Sequence, residues 1–204
     1  MLITRIEKSK GKQYRIYNED GYLFSLYGNE LKQYGIEEGN DLNESLFSDI
    51  LDKVIFNRAK ERALYLLERQ PYSEMGMRRK LISGGTPEIV VNKVTDFLKQ
   101  YNYIDDVLYV SMYVNSYIKR KSKRQIYNDL MIKGIDRQIM DDYFEGIEDM
   151  DAYEKECFEA QYNKYIKGKD LEDPRIRQKV FRYFYGKGFS VRLVEEFMRG
   201  ASSS

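Results

Sequence analysis

The stretch Ile126–Asp136, IYNDLMIKGID, decides the fold of this chain, because its pattern occurs three times along the sequence. In each copy two apolar residues are four positions apart, a glycine follows after four more, and two further apolar residues lie five and nine positions beyond the glycine. The members are Met77, Leu81, Gly85, Val90 and Val94; Ile126, Leu130, Gly134, Ile139 and Tyr143; and Val180, Phe184, Gly188, Leu193 and Phe197. The recurrence indicates a repeat protein.

Each copy predicts a helix, a glycine stop and a second helix. Apolar residues four apart lie on one helical face, and a glycine four beyond them suits the left-handed residue that ends a helix. The glycines are 49 and 54 residues apart, which leaves room for one more helix in each repeat. Apolar residues at helical spacing supply it: Ile50, Leu51, Val54, Ile55, Ala59, Ala63, Leu66 and Leu67; Val110, Val114, Tyr117 and Ile118; and, more loosely, Tyr153, Tyr162, Tyr165 and Ile166.

The N-terminal residues differ in kind from the repeats. Leu2–Glu7, Gln13–Tyr17 and Tyr22–Leu26 are rich in β-branched and aromatic residues and are separated by polar turns, which predicts a three-stranded meander. So small a sheet is marginal alone, so we expect it either to lean on the first long helix or to be a separate, mobile appendage, with the repeats making their own cores.

The predicted fold is therefore mainly α, a tandem array of three three-helix repeats, elongated or curved, after a small β meander. Cap residues support the helix starts: Thr86 before Pro87, Asp173 before Pro174, and Asp105, Ser122, Asp136 and Ser190. The predicted segments are a β-rich extension at 1–45, repeats at 46–104, 105–147 and 148–199, and a flexible tail at 200–204.

Composition narrows the function classes. The net charge is +1, which argues against coating nucleic acid by bulk charge, although local basic stripes can still bind phosphates. No run of eighteen apolar residues and no signal-like segment occurs, so we expect a soluble, cytoplasmic protein. Cys157, the one cysteine, is predicted to be a small core residue.

Enzymatic chemistry is not expected. The chain has no histidine, hence no ordinary proton shuttle near neutral pH, and no phosphate-binding loop motif. Acidic neighbours are better explained as helix caps and solvated faces than as a metal or acid–base site, because adjacent helical residues point about 100° apart. These are Asp105-Asp106, Asp141-Asp142, Glu195-Glu196 and Glu148-Asp149 with Asp151. We therefore predict no catalytic residue, no metal and no cofactor.

Several motifs resemble the RecX family, whose members regulate the RecA recombinase. Arg62–Leu67 with Arg69–Glu74 is similar to the family's "A-x-x-Y-L … R-P-x-S-E" signature, and Tyr103–Asp106 to its "Y-I/L-D-D". Ile126 with Leu130–Ile135 resembles "I-x-x-x-L-x-x-K-G-I", and Lys187-Gly188-Phe189 resembles "R/K-G-F". The resemblance spans nearly the whole chain. It departs at Gly76-Met77 and at Ser122-Lys123, where the family has an acidic-leucine pair and Gly-Pro.

The resemblance implies a non-enzymatic regulator of homologous recombination, DNA repair and the SOS response. Such a protein binds the RecA filament, reaches single-stranded DNA through the filament, and modulates filament growth, ATP hydrolysis and strand exchange, in most members as an inhibitor. We expect a monomer with no membrane partner. The alternative that the residues leave open is a stand-alone DNA-binding module, since helix pairs joined at a glycine imitate helix-turn-helix units.

Basic residues are the candidate binding surface. Two positions after the buried reference residues Met77, Ile126 and Val180, the chain has Arg79, Asn128 and Arg182, which point away from the core. The predicted RecA- and DNA-binding residues are Arg78, Arg79, Lys119, Arg120, Lys121, Lys123, Arg124, Arg175, Lys179 and Arg182. The alternative for any one of them is a merely solubilising charge. The five cations within Lys119–Arg124 favour a function, because they repel each other unless an anion neutralises them.

Tyrosine is unusually abundant, with 19 copies. Most are expected at the edges of the cores. Tyr117 and Tyr127, which lie near cations in the sequence, are the candidates for stacking on bases.

Overall fold

The computed structural model describes residues 1–9 and 11–200 and confirms a mainly helical chain with a small N-terminal sheet. In chain order the elements are β1 (Arg5–Lys8), β2 (Gln13–Asn18), β3 (Gly21–Tyr27), α1 (Gly28–Tyr34), α2 (Glu44–Ile50), a π-helical turn (Leu51–Ile55), α3 (Phe56–Leu67), α4 (Glu74–Ser83), α5 (Glu88–Gln100), α6 (Asp106–Tyr117), α7 (Lys123–Ile132), α8 (Arg137–Glu145), α9 (Met150–Ile166), α10 (Pro174–Gly186) and α11 (Val191–Gly200). Of the predicted tail, Gly200 ends α11 and residues 201–204 lie outside the described residues.

The chain forms two compact units, the first from Met1 to Asp105 and the second beginning at Asp106. The first contains the sheet and the first repeat, whose long helix runs through α2, the π-helical turn and α3 before α4 and α5. The second contains α6, α7 and α8 as the second repeat and α9, α10 and α11 as the third.

The predicted glycine stops are confirmed in all three repeats. Gly85, Gly134 and Gly188 have φ of 83°, 82° and 87°, which is left-handed backbone. The residue after each glycine donates its N–H to the carbonyl five positions back, for example Phe189 to Phe184 at 3.2 Å, and the glycine donates to the carbonyl three back. This is the Schellman arrangement, which satisfies the last carbonyl groups of α4, α7 and α10.

The core register after the glycine matches the prediction in the first repeat, where Val90 and Val94 are completely buried, and differs by one residue in the other two. Met77, Leu81, Ile126, Leu130, Val180 and Phe184 are buried as predicted. In the second and third repeats, however, Ile139, Tyr143, Leu193 and Phe197 are only half-buried. The buried positions are Met140, Phe144, Val194 and Met198, one residue further along. On α8 and α11 the apolar face includes pairs of adjacent residues, such as Ile139 with Met140 and Leu193 with Val194. A rule that picks one residue per turn can therefore pick the one at the edge of this face instead of the buried one at its centre.

The sheet is integral to the first unit. Its strands are antiparallel in the order β1-β2-β3, as a meander requires. Ile16, Phe24 and Leu26 are completely buried and belong to the same hydrophobic core as Ile50 and Met77. Of the two expectations for the sheet, packing against the first long helix is therefore correct and the separate appendage is wrong. The first repeat does not make a core of its own.

The first strand begins later than predicted, at Arg5 rather than Leu2. The preceding residues pair with the loop after α1 instead: Leu2 forms a bridge with Asp41, and the Ile3 N–H donates to the Asn40 carbonyl at 3.0 Å. Ile3 is buried by this pairing.

The second unit has two hydrophobic cores, one in each repeat. Val110, Val114, Ile126, Leu130 and Met140 belong to the core of the second repeat. In the third, α9 contributes Cys157, Phe158 and Tyr162, so the prediction of Cys157 as a core residue is confirmed. Tyr153, predicted on the apolar face of α9, is exposed instead.

Ser122, Asp136, Asp173 and Ser190 cap their helices as predicted, whereas Thr86 does not. Asp173 accepts from the Arg175 N–H at 2.8 Å, with Pro174 at the first helical position. Pro87, by contrast, is itself the cap residue of α5, whose first residue is Glu88. The ψ of 145° at Pro87 lies outside the helical range, so the helix begins one residue later than predicted.

Candidate functional site

The outward basic positions of α4 and α10 lie where the sequence predicts. Met77 and Val180 are completely buried, whereas Arg79 and Arg182, two residues further along, are exposed. On α7 the corresponding pair is buried Ile126 and exposed Asn128. Because a step of two residues rotates about 200° around a helix, burial of the first residue directs the second to the outer face.

Arg78 does not belong to this outer face. Its guanidinium donates to Thr95 Oγ1 at 3.2 Å and to Asn92 Oδ1 at 2.5 Å, and it lies 4.0 Å from the Glu88 carboxylate. Thr95 is itself buried on α5. Arg78 therefore links α4 to α5 through side-chain hydrogen bonds within the first repeat.

Lys121 is likewise engaged internally. Its ammonium donates to Asp129 Oδ2 at 2.6 Å and to the Tyr113 hydroxyl at 3.3 Å, and it lies 4.3 Å from the centre of the Tyr117 ring. The hydrogen bond to Asp129 raises the pKa of Lys121. Burial alone raises the pKa of Asp129, but its bonds to Lys121 and Tyr113 outweigh burial and lower it. Asp129 thus neutralises one of the five clustered cations.

The other four cations of the cluster are exposed. Lys119 and Arg120 follow the end of α6, and Lys123 and Arg124 are the first two residues of α7. The Arg120 carbonyl accepts from the Gln161 side chain on α9 at 3.2 Å, so the backbone that carries these cations is fixed to the third repeat.

The start of α7 is fixed to the third repeat by further contacts within the second unit. The Ser122 hydroxyl donates to the Lys187 carbonyl at 2.6 Å and accepts from the Gln125 N–H at 3.2 Å. A Cβ on Gly188 would lie 2.8 Å from the Arg124 Cβ, so the two backbones approach as closely as a glycine permits. This contact holds Arg124 at the edge of a shallow pocket of about 320 Å³ that Asn128 and Glu154 also line.

Glu154 is the acidic residue of this pocket. It lies half-buried on α9 and accepts a hydrogen bond from the Lys123 N–H at the start of α7. Burial raises the pKa of Glu154, although the hydrogen bond opposes the shift. The carboxylate partly offsets the positive charge of Lys123 and Arg124 when it is ionised.

The third repeat presents its cations along α10. Arg175, Lys179 and Arg182 are exposed, while Val180 and Phe184 on the opposite face are completely buried. Side chains three and four positions apart lie next to each other on a helix, so these three residues form one continuous basic stripe.

The two tyrosines considered for base stacking are engaged within the second repeat. The Tyr117 ring lies 4.6 Å from the Tyr113 ring, and the Tyr127 hydroxyl donates to Asp141 Oδ1 at 3.0 Å. Both are half-buried. Their contacts support the alternative, core-edge packing.

Three of the acidic neighbours, Asp149, Glu195 and Glu196, make structural contacts. Asp149 accepts from the Ala152 N–H at 3.2 Å and so caps α9, and Glu195 and Glu196 pair with Arg199 and Lys155. Within residues 1–9 and 11–200 no group of three or more His, Cys, Asp or Glu side chains is placed to hold a metal ion. No helix in the same residues is long and apolar enough to cross a membrane.

One group of candidate residues escaped the sequence reasoning. Tyr27, Arg58, Arg62 and Lys80 line a groove in the first unit, although they come from three separate segments. The available signal was the spacing of Arg58 and Arg62, which places two cations one helical turn apart on α3. The partners that complete the groove are set by the docking of the sheet.

Comparison with known proteins supports the resemblance in the sequence. Residues 59–98 match a domain family described as RecX, first three-helix domain. The regulatory protein RecX of Clostridioides difficile (strain 630) is 27% identical over 201 residues, which cover 97% of this chain and 94% of that protein. The protein of the same name from Caldanaerobacter subterraneus subsp. tengcongensis is 27% identical, over 96% of this chain and 98% of its own length.

Crystal structures agree with the fold. A crystal structure of regulatory protein RecX matches with a TM-score of 0.61 and 27% identity, covering 95% of this chain and 97% of the other. The crystal structure of RecX from Lactobacillus salivarius matches with a TM-score of 0.62 over 74% of this chain and 98% of its own, at 22% identity.

Proposed function

We propose, since this chain belongs to the RecX family of regulatory proteins, that it binds RecA assembled on single-stranded DNA and restrains the filament. Binding would limit filament growth and thereby lower RecA-driven ATP hydrolysis and strand exchange, which makes the protein a regulator of homologous recombination and DNA repair. It acts in this proposal as a cytoplasmic monomer, without catalysis of its own, and it reaches DNA through the filament.

The observation that supports this function is the repetition of exposed cations on equivalent helices. Arg79 on α4 and Arg182 on α10 follow buried residues at the same spacing, and Arg124 is exposed at the start of α7. A ligand with a repeating anionic surface, such as a protein filament on DNA, gains a modest contact from each repeat.

The test reverses the three charges together, in the variant Arg79→Glu/Arg124→Glu/Arg182→Glu. The measurement is ATP hydrolysis by RecA on single-stranded DNA, at a series of concentrations of the added protein. We expect the parent to lower hydrolysis and the variant to need at least about tenfold more protein for the same effect, because charge reversal removes attraction and adds repulsion.

A matched control changes the net charge by the same amount at exposed cations on other helices: Lys32→Glu/Arg137→Glu/Arg192→Glu. It should act like the parent. A folded test variant with the parent's activity would show that these three arginines are not the functional residues. If both lose activity equally, net charge rather than position is responsible, and an equal loss of binding to bare DNA would favour the stand-alone DNA-binding module.

A further inference from the structure

The first unit contains a groove of about 540 Å³ between the sheet, α3 and the turn that joins α4 to α5. Ser25 and Tyr27 of β3 line one side, and Arg58 and Arg62 of α3 line the other. Lys80 and Gly85 lie at the end formed by α4 and its turn. We call this the first-unit groove.

The lining of the groove is positively charged. It includes Arg58, Arg62 and Lys80 and not one carboxylate among the described residues. Arg58 is neutralised by Glu30, whose two carboxylate oxygens lie 2.6 and 2.7 Å from its Nη2 atom. Arg62 and Lys80 are exposed and make no ion pair within the described part of the chain. Two uncompensated cations in a concave site attract an anionic ligand.

The backbone of the groove is closed to two kinds of anionic ligand. An acidic peptide cannot extend the sheet at this edge of β3, because Arg58 donates to the Ser25 carbonyl at 3.0 Å and the Tyr27 N–H donates to Glu30 at 2.7 Å. A compact triphosphate finds no free amide groups in the turn, because the N–H groups of Gly84, Gly85 and Thr86 all donate to carbonyls at the end of α4. Recognition is therefore left to side chains.

The available side chains combine cations with an aromatic ring. Tyr27 is 38% exposed, and the centre of its ring lies 4.7 Å from the Arg58 guanidinium, which restrains it. At the other end of the groove the Tyr22 hydroxyl donates to the Gly85 carbonyl at 2.5 Å and holds the turn against the sheet. Arg15, whose position on β2 is opposite Ser25, adds a further exposed cation on this face. Spaced cations beside an exposed aromatic ring are the features by which proteins hold single-stranded nucleic acids.

We infer that the first-unit groove binds a short stretch of single-stranded nucleic acid directly, with phosphates on Arg62 and Lys80 and a base against Tyr27. The site is additional to the proposed binding of the RecA filament. It uses none of the ten basic residues predicted from the sequence and requires no RecA. Side chains in the groove contact phosphates and one base face, so deoxyribose and ribose strands both bind.

The experiment measures fluorescence anisotropy of labelled oligothymidylate and oligouridylate with the full-length protein, without RecA, at low and at physiological salt. The variant Arg62→Glu/Lys80→Glu should bind both strands at least about tenfold more weakly than the parent. The slope of log affinity against log salt should fall by about 0.7 for each phosphate contact removed.

Two controls separate position from charge and from folding. Lys32→Glu/Arg69→Glu makes the same change in net charge at exposed cations outside the groove lining, and it should bind like the parent. Tyr27→Leu should weaken binding while Tyr27→Phe keeps it, because only the ring stacks on a base. Melting curves by circular dichroism confirm that each variant is folded.

The inference is overturned if the parent fails to bind either strand, or if folded Arg62→Glu/Lys80→Glu binds as the parent does. It is also overturned if inorganic tripolyphosphate displaces the strand as well as unlabelled strand at equal phosphate concentration, or if duplex binds as tightly. The filament variant Arg79→Glu/Arg124→Glu/Arg182→Glu should retain strand binding. Loss of strand binding in that variant alone would reject the groove and favour the stand-alone DNA-binding module. The proposed filament function is tested separately, by RecA-driven ATP hydrolysis.

Discussion

The hydroxyl of Ser122 donates to the carbonyl of Lys187 at 2.6 Å, and both groups belong to turns at the ends of helices. Ser122 is completely buried and also accepts from the Gln125 N–H as the cap of α7. One hydroxyl therefore starts a helix of the second repeat and holds the glycine turn of the third. The first unit has a comparable contact, in which the Tyr22 hydroxyl of the sheet donates to the Gly85 carbonyl.

Replacing Ser122 with alanine should destabilise the protein by about 2 kcal/mol, since the helix loses its cap and the Lys187 carbonyl loses its donor. Chemical denaturation followed by circular dichroism measures the effect. The matched control is Ser190→Ala, which removes an exposed cap whose hydroxyl accepts from the Leu193 N–H at 3.2 Å. It should cost only about 1 kcal/mol. Equal costs for the two variants would show that the bond between the repeats adds nothing.

Gly188→Ala should be more costly than a left-handed glycine substitution in open space. At Gly188 a new Cβ meets both the positive φ of 87° and the Arg124 Cβ at 2.8 Å. At Gly168, φ is 75° but no atom lies within 4 Å of a new Cβ. Gly168→Ala therefore reports backbone strain alone, about 1 kcal/mol, and Gly188→Ala should exceed it by a further 1 kcal/mol or so. Thermal melting of the two variants decides, and equal melting temperatures would contradict the close contact.

The repeated pattern predicts the helix before each glycine, and the glycine itself, better than the helix after it. The reason is the width of the buried face on that following helix. Leu81, Leu130 and Phe184 are each followed by a Schellman turn, so their spacing to the glycine is fixed by backbone hydrogen bonds. Beyond the glycine no such bond fixes the register. Ile139 and Met140 are both apolar, and only packing decides that Met140 is the buried one.

The role of the sheet could not be predicted because it depends on contacts between distant residues. The sequence indicates three strands by local composition, but Phe24 becomes part of the core only through α2, whose Phe47 ring lies 5.8 Å away. The first-unit groove escaped prediction for the same reason. Arg62 and Tyr27 are far apart in the chain, and only the docked sheet brings them to one site.

Phe24→Ala should therefore destabilise the whole first unit by about 3–5 kcal/mol, because it removes a completely buried ring from the shared core. Amide hydrogen exchange should become faster throughout α3, α4 and α5 and not only in the strands. The control Tyr14→Ala removes a half-buried ring from the same sheet and should cost less. Faster exchange confined to the strands would restore the view of the sheet as a separate appendage.

The sequence predicts the basic residues as one binding surface, but the structure divides them into residues bonded within the protein and residues that are exposed. Arg78 and Arg79 are neighbours in the sequence, yet Arg78 bonds to Thr95 and Asn92 whereas Arg79 lies on the exposed face. The helical period predicts that Arg78 and Arg79 lie on different faces of α4. It does not predict the acceptors for Arg78, because these are on α5 and no local pattern of the sequence relates them to α4. The same applies to Lys121, whose partner Asp129 lies two turns along α7.

Glu154→Gln should change how stability depends on pH. Burial raises the pKa of Glu154 in the folded chain above the ordinary glutamate value of about 4.3. Between these two values the folded state holds a proton that the unfolded state has lost, so this residue lowers the free energy of unfolding as pH rises through the window. The glutamine variant should gain stability relative to the parent as pH rises above about 4.3, the ordinary glutamate value. Urea denaturation of both proteins across this range measures the difference.

The control for this pH dependence is Glu156→Gln, an exposed position on the same helix. It makes the same change in net charge outside the pocket that Glu154 lines, so a pH dependence shared by both variants would be an effect of net charge. A Glu154→Gln variant that loses stability relative to the parent as pH rises would contradict the assignment of burial as the dominant influence on this carboxyl group.

Substitutions of Lys121 and of its exposed neighbours should have different effects, the first on stability and the second on binding. Lys121→Ala removes an ammonium that donates to Asp129 and to Tyr113, so it should lower the free energy of unfolding by about 1 kcal/mol. At a temperature well below unfolding, its effect on RecA-driven ATP hydrolysis should equal that of the parent. Lys119→Glu/Arg120→Glu alters only exposed side chains, so its stability should stay within about 0.5 kcal/mol while its effect on RecA weakens. If Lys121→Ala instead weakens the effect on RecA with unchanged stability, then Lys121 leaves Asp129 to bind the filament, and the division of this cluster into structural and binding cations is wrong.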